Sequence, residues 1–366
     1  MTQKEKLRTI EGLGRLKDQL AGLPKRRTEQ NLIVASWNIV ALGAGTYRTG
    51  ESLYYLAEIM SCFDLIAVQE QRSSLTDLDK ILRIMGPNWK YMVTDPMGGT
   101  KGNEERSAYV FNTDRVQLSG VSGELSVWKE LLEEGSDVLL YFDRPPNITG
   151  FRAGWKEFAM INVHLHPGNK SAKPDADPPR IADAEKRRKE IASILGILDD
   201  RKAKLWTENL VLVGDMNFYK DDDADTIKTI TDLGYVECDG LEGKTTNIVV
   251  RDSDAEAYDR MFFSSDDYFR MAVGEDGKQV GGVLNPFKSV YRDEDLDTYR
   301  PVMAGKRDKQ ADKDAMENDD AKAWRYYRDT FRKRQLSDHF PIYVELEIDD
   351  SATFLERSAK GLMSED

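Results

Sequence analysis

Histidine is scarce in this chain, with three residues among 366, at positions 164, 166 and 339. Two cysteines, Cys62 and Cys238, are too few for a disulfide framework, and Cys62 lies in the apolar run "IMSCFDLIAV", where a buried thiol is expected. No apolar run approaches the roughly 18 residues of a membrane span. The charged opening "MTQKEKLRTIEGLGRLKDQL" holds no apolar signal core. These absences lead to the expectation of a reducing, cytoplasmic setting with no membrane partner. A surplus of positive charge is missing too. With a net charge of −13 and a pI near 5.0, the chain lacks the global basic field that drives unspecific nucleic-acid binding. That counts against a passive binder but leaves an enzyme open, because a metal ion can neutralise carboxylates and phosphate together.

What is present is an ordinary globular composition, 40% hydrophobic and 32% charged, in a length that accommodates one large domain with insertions. Leu7, Ile10, Leu13, Leu16, Leu20 and Leu23 recur at three- and four-residue steps. This predicts a helical extension over 1–28 that docks one apolar face on the core. Strands are expected in "NLIVASWNI", "DLIAVQE", "KYMVT", "SAYVFN", "DVLLYF", "EFAMINVHL", "NLVLVGDMN", "YDRMFFSS" and "FPIYVELEI". Helices are expected in "SLYYLAEIM", "LTDLDKILRIMG", roughly 180–200, and "DADTIKTITDLG". Strands outnumber helices and the helices fall between strand groups, which suits two sheets packed face to face with helices outside. Residues 266–323, with "GKRDKQADKDAMENDDAK", show little periodicity and are expected to be a mobile loop. Residues 350–366 are expected to be a frayed tail.

Several strands run apolar and then stop at a polar group: Asn38, Glu70, Asp215 with Asn217, and His164. Asp259 opens one further strand, and Asp338-His339 precede the last. One acid at a strand end needs no functional account, since turns and caps favour Asp and Asn. Six such endings that take up two of the three histidines call for one, because a layered sheet gathers distant strand ends on one rim. Asn, Glu and Asp offer hard oxygen ligands suited to Mg2+ or Mn2+, whereas zinc would want more imidazole or thiolate. A histidine with pKa near 6.5 exchanges protons at neutral pH. A metal with histidine is equipment for hydrolysing a phosphate ester. General acid–base catalysis supplies roughly 10²–10⁴-fold, so the remainder must come from the metal and from preorganised polar groups.

In this order, "SWNI", "VQEQR", "INVHLH", "LVGDMNF", "AYDRMFF" and "SDHFPIYVEL" resemble the motifs of the endonuclease/exonuclease/phosphatase (deoxyribonuclease I-like) superfamily, over residues 32–346. The resemblance implies a four-layered α/β sandwich, two mixed β-sheets packed face to face with helices outside, as a catalytic domain over 29–349 with an insertion at 266–336. It implies Asn38, Glu70 and Asp338 as metal ligands with Asp215 adjoining them, and Asp215 and Asn217 as the pair that positions the attacking water and the phosphate oxygens. It implies His339 as general base or phosphate-binding histidine oriented by Asp259, His164 as a second catalytic histidine paired with Glu105, and Arg72 as a DNA-groove contact. The expected ion is Mg2+ or Mn2+, with Ca2+ admitted as a structural ion.

Two further readings come from spacing. His166, two residues from His164, is expected either to share its strand face as a substrate contact or to be solvent-exposed. In "AWRYYRDTFRKR", Trp324, Tyr327 and Phe331 form a helical face suited to core packing; alternatively Arg325, Arg328, Arg332, Lys333 and Arg334 form a basic wall for a polyanion, with Arg332 and Arg334 as substrate contacts. The leading functional expectation is a metal-dependent nuclease with DNA as substrate. The alternative is a phosphatase or phosphodiesterase acting on a small or lipid-linked ester. "GDMNFY" resembles the inositol polyphosphate 5-phosphatase motif, but "EAYDRMFF" lacks the Trp-Cys that precedes Asp-Arg there. A non-catalytic binding protein of the same family would show loss of a ligand or of the "SDH" histidine, and all are present.

Overall fold

The structure, a computed structural model, describes residues 1–45, 48–97, 104–126, 142–168, 180–202, 207–219, 222–249, 255–264 and 268–364. Two six-stranded sheets form its centre. With strands numbered in chain order, one sheet runs β11 (Gly281–Val283), β12 (Ile342–Glu347), β1 (Asn31–Leu42), β2 (Leu65–Arg72), β4 (Glu105–Asn112), β3 (Trp89–Val93). The other runs β5 (Gln117–Glu124), β6 (Asn147–Ala153), β7 (Lys156–His164), β8 (Leu210–Asp215), β10 (Asp259–Ser264), β9 (Tyr235–Glu237). Each is mixed, with one parallel pair at its centre, β1 with β2 and β7 with β8. A parallel pair needs a crossover, and the helices Gly50–Met60 and Arg180–Lys202 lie in those connections. Both strands of each pair therefore end at the same rim.

Side-chain alternation builds four layers. Leu32 and Val34 of β1, Leu65 and Ala67 of β2, Phe158 and Met160 of β7, and Val211 and Val213 of β8 share the core between the sheets. The residues between them, Ile33, Ala35 and Trp37, pack outward on helices. Ala159, Ile161 and Val163 do the same against Ile191, Ile194 and Leu198 of the 180–202 helix. Strands buried on both faces explain why "DLIAV" and "NLVLV" read as continuous apolar runs.

The amino-terminal helix Gln3–Leu20 docks on the core as its period requires, with a shifted face. Leu16 and Leu20 are buried together with Thr9 and Gly12, while Leu7 and Ile10 stand 56% and 65% exposed. Gly12 accounts for the shift: a Cβ there would come within 2.3 Å of the Tyr55 hydroxyl, so the helix presses its small residue, and not its widest apolar stripe, against the neighbouring helix. The segment expected as a mobile loop instead contains β11 and the helices Leu296–Gly305, Gln310–Asn318 and Asp320–Tyr326. Its period is faint because its buried residues, among them Phe269, Met271, Val290, Tyr291, Tyr299, Met303 and Met316, are spread over several short elements. The expected frayed tail is helical over Ser351–Ser364, with Phe354 5.9 Å from the Trp155 ring. The strand expected at "DVLLYF" lies, apart from Phe142, outside the described residues. β5 escaped the sequence reading because its "QLSGVSGE" is mostly exposed and carries no apolar alternation.

Glu190, on the 180–202 helix, is buried and accepts the His166 main-chain N–H at 2.9 Å. Burial pushes its carboxyl up from 4.5 to about 7. The folded chain then keeps a proton that the unfolded chain has released, so this group's contribution is whole below pH about 4.5 and is lost as pH rises through about 7. Urea midpoints measured from pH 4 to 8 should fall across that window, and Glu190→Gln should flatten the slope.

Candidate active site

On the rows facing between the sheets, apolar side chains give way to polar ones toward one rim. The sequence along β1 is Leu32, Val34, Ser36, Asn38; along β7 it is Phe158, Met160, Asn162, His164; along β8 it is Val211, Val213, Asp215. β10 runs the other way and starts with Asp259 at that rim. Register then sets His164 beside Asp215 and Asp259 opposite it.

Asp215 is the hub. Its Oδ2 accepts from Asn38 Nδ2 at 2.8 Å and lies 3.6 Å from His164 Nε2 and 3.8 Å from His339 Nε2. Its Oδ1 accepts the Asn217 N–H at 3.0 Å. Each histidine is backed by a further carboxylate: His164 Nδ1 lies 3.2 Å from Glu105 Oε2, and His339 Nδ1 lies 2.7 Å from Asp259 Oδ2. Two imidazole–carboxylate dyads thus turn their Nε2 atoms toward one oxygen. Burial alone would lower the His339 pKa, but the charges of Asp259 and Asp215 outweigh it and hold the ring's proton well above the usual imidazole range.

Backbone strain aims several of these groups. Strand alternation would put Gln69 and Glu70 on opposite faces. Glu70, however, has φ of 60° and sits in a register break opposite β4, and its carboxylate reaches Asn38 Nδ2 at 3.2 Å and the Ala41 N–H at 3.1 Å. Ala41, with φ of 48°, lies in the matching break of β1. In "VGDMN", Gly214 has φ of 140° and a Cβ there would meet the Val163 carbonyl at 2.0 Å, so only glycine allows β8 to close on β7. Asn217, with φ of 51°, donates from Nδ2 to the Leu165 carbonyl at 3.1 Å. Left-handed non-glycine residues gathered in one place mark a constrained, functional region.

The sequence reading missed two supports. Beneath the hub, Gln69 Nε2 donates to Asn162 Oδ1 at 2.7 Å and to Ser36 Oγ at 3.2 Å, all three residues being fully buried. A polar residue two positions before the terminal polar group, Ser36 before Asn38 in β1 and Asn162 before His164 in β7, was the available signal. Ser337 ties the "SDH" turn to β1: its Oγ donates to the Asn38 carbonyl at 2.6 Å and accepts from Val40 N at 3.2 Å and His339 N at 3.1 Å. Trp37 Nε1 adds a bond to the His339 carbonyl at 3.0 Å.

The fold thus brings Asn38, Glu70, Glu105, His164, Asp215, Asn217, Asp259 and His339 together. Arg72 is at the same rim, its Nη2 3.8 Å from Glu105, which also receives Arg144 Nε at 3.2 Å. Asp338 is half-buried and its charge adds to those holding the His339 proton. Among the described residues, Asp215, Asp259 and His339 form a group of three whose carboxylate and imidazole atoms all lie within 4.8 Å of one another, with Glu70 joined to Asp215 through the Asn38 amide. Asn38 Oδ1 and Asp259 Oδ1 are buried without a hydrogen-bond partner. Orphaned hard oxygens beside two further carboxylates fit a Mg2+ or Mn2+ ion.

The remaining expected contacts lie elsewhere. β7 ends at His164, so the two-residue rule stops there. His166 instead turns to the helix layer, with Nε2 3.0 Å from Asp183 Oδ1. Tyr327 and Phe331 are core, as their spacing indicates. The basic residues around them disperse around the helix: Arg328 pairs with Asp329, buried Arg332 pairs with Asp293 at 2.5 Å, and Arg334 opens toward Lys306 and Arg307. They do not form one continuous wall.

Removing the Ser337 hydroxyl would leave the Val40 and His339 N–H groups without their acceptor. Ser337→Ala is expected to cost roughly 1–3 kcal/mol, read as a lowered urea midpoint at unchanged slope.

No family model matches this sequence. It is 27% identical to deoxyribonuclease-1 of Homo sapiens over 196 residues, covering 51% of this chain and 61% of that protein. The chain thus matches under two thirds of that relative's length. Among solved structures it is similar to a functionally unknown conserved protein from Enterococcus faecalis V583, with TM-score 0.50 and 15% identity over 86% of this chain and 99% of that one. It is also similar to D. rerio TDP2 complexed with single strand DNA product, with TM-score 0.50 and 12% identity over 87% of this chain and 99% of that one. These structural likenesses concern the fold.

Proposed function

We propose that this chain, which shares the fold and the ordered motifs of the deoxyribonuclease I-like endonuclease/exonuclease/phosphatase superfamily, is a metal-dependent phosphodiester hydrolase with DNA as its substrate. The carrying observation is the convergence of the His164–Glu105 and His339–Asp259 dyads on Asp215 Oδ2, beside the unpartnered oxygen of Asn38.

In this reading Asn38, Glu70, Asp215 and Asp338 hold the ion. A bound Mg2+ or Mn2+ supplies Lewis-acid polarisation of a phosphoryl oxygen and a lowered pKa for water. Asp215 and Asn217 orient a water in line with the phosphorus. As the water oxygen bonds to phosphorus, its proton passes to one imidazole Nε2. The bond to the leaving oxygen breaks, and the other imidazole returns a proton to that oxygen. Asp259 and Glu105 hold each Nδ1–H, which fixes the tautomer and leaves each Nε2 facing the reaction. Arg72, at the rim with Glu105, is suited to a neighbouring phosphate of the strand. The DNA assignment draws on the similarity to deoxyribonuclease-1 and on that arginine.

Incubation with supercoiled plasmid and Mg2+ should yield nicked or linear DNA, and chelator should stop it. Release of phosphate from inositol phosphates with the plasmid left supercoiled would favour the small-ester alternative instead. His339→Ala is expected to lower turnover by about 100-fold or more, with far-UV circular dichroism confirming a folded protein. An unchanged rate would take His339 out of the chemistry. Glu70→Gln should move the Mg2+ midpoint of activation to higher concentration, and a coincident titration would take Glu70 out of the ion's shell.

A further inference from the structure

Beyond the carboxyl end of the helix Leu296–Gly305 lies a cavity of about 410 Å3. Its charged lining is Lys306, Arg307 and Arg334 against one carboxylate, Asp308. Gly305, Tyr326, Phe331 and Gln335 supply the remainder. The Arg307 guanidinium lies 3.6 Å over the Tyr326 ring, its Nε has no hydrogen-bond partner, and among the described residues no carboxylate pairs with it. Lys306 Nζ stands 6.0 Å from the Phe331 ring centroid. Burial and the Arg334 charge together lower the Lys306 pKa, so these two cations are close enough to repel. Asp308 is exposed and makes no ion pair among the described residues.

The uncharged side chains of the lining are already committed. Gln335 Oε1 accepts the Thr49 N–H at 2.7 Å and the Ser52 hydroxyl at 2.8 Å. The Tyr326 ring carries a guanidinium on its face, and Phe331 is buried against Tyr299 and Tyr327. The lining therefore favours neither a stacked base nor an apolar chain. What remains to be matched is charge, because three cations outweigh one carboxylate here in a chain whose net charge is −13. Guanidinium and ammonium donors together suit the oxygens of a phosphate.

The cavity adjoins the catalytic rim. Arg48 Nη2 donates to the Leu336 carbonyl at 3.1 Å and to the Val40 carbonyl at 2.6 Å, which fastens the residue after Gln335 to the end of β1. Gln335 stands four positions before His339, a span of at most about 14 Å, or the rise of about four base pairs. We infer that Lys306, Arg307 and Arg334 hold a backbone phosphate of the DNA strand whose scissile phosphodiester lies at Asp215 and His339, a few nucleotides away from it. This rests on the hydrolase reading above and adds a site on the 266–336 insertion that lengthens the substrate's footprint. Such a contact positions the strand and carries no sequence information.

Fluorescence anisotropy in chelator, from about 50 to 200 mM salt, follows binding of a labelled DNA duplex to the full chain. Each phosphate contact contributes about 0.9 to the steepness of log affinity against log salt. The double variant Lys306→Gln with Arg307→Gln should lose about one such contact and bind about tenfold more weakly. The charge-keeping pair Lys306→Arg with Arg307→Lys should restore both. Asp308→Asn, at an exposed position, should bind more tightly than the wild type. No wild-type binding at the lowest salt, an unchanged slope and affinity in the neutral double variant, a charge-keeping pair as weak as the neutral one, or an Asp308→Asn protein no tighter than wild type overturns the inference. Plasmid cleavage with Mg2+ by a protein whose salt slope ignores these substitutions leaves the hydrolase reading standing and removes the phosphate site; a slope that falls as stated, with no DNA cleaved, does the reverse.

Discussion

A buried carboxylate must be compensated, and at Asp215 that requirement organises the surroundings. The Oδ2 atom has Asn38 Nδ2 as donor and two imidazole Nε2 atoms within 4 Å. Leaving such a charge uncompensated in a protein interior costs several kcal/mol. Each imidazole in turn presents its second nitrogen to a carboxylate, Glu105 or Asp259, and Glu105 is then met by Arg144 and Arg72. Charge alternates outward from a single oxygen, and the groups that satisfy the interior are the groups that can move protons at its edge.

The two sheets make that concentration possible. Parallel pairs at the centre of each sheet carry Asn38, Glu70, His164 and Asp215 to one rim, and antiparallel β10 and β12 return with Asp259 and His339 from the opposite direction. The same rows that fill the inter-sheet core with Leu, Val, Phe and Met change to Ser36, Gln69 and Asn162 before the rim. That hydrogen-bonded layer separates an apolar core from a charged site. That boundary carries three left-handed non-glycine residues, Ala41, Glu70 and Asn217, where side chains must leave the strand alternation to face one another.

The long segment before "SDH" has both structural and site-forming roles. Its aromatic residues Tyr291, Tyr299, Tyr327 and Phe331 join the helix layer over the first sheet. Its Phe287 and Arg332 reach toward the catalytic segment instead. Arg332 is held in place by Asp293 and stacked on Phe287, so a cation that a helical charge pattern assigns to the surface becomes part of a cavity wall.

Much of this was legible in the chain. Apolar runs reported strands buried on both faces, and the residue type at each strand's end reported hard-oxygen and imidazole chemistry. Periodicity measures burial along one element, so it reached β1 to β4, β7, β8, β10 and β12, the docking helix and the Tyr327–Phe331 face, and passed over β5, β6, β9 and β11. It could not reach partners. Asn38 and Asp215 are 177 positions apart, and Ser337 grips Asn38 across 299; only packing one sheet on the other sets those distances. The left-handed turn that redirects Glu70, the helix that claims His166, and the buried side chains that order an otherwise polar insertion likewise depend on neighbours that no local pattern encodes, because a side chain's partner is chosen by the closed three-dimensional shape and not by its place in line.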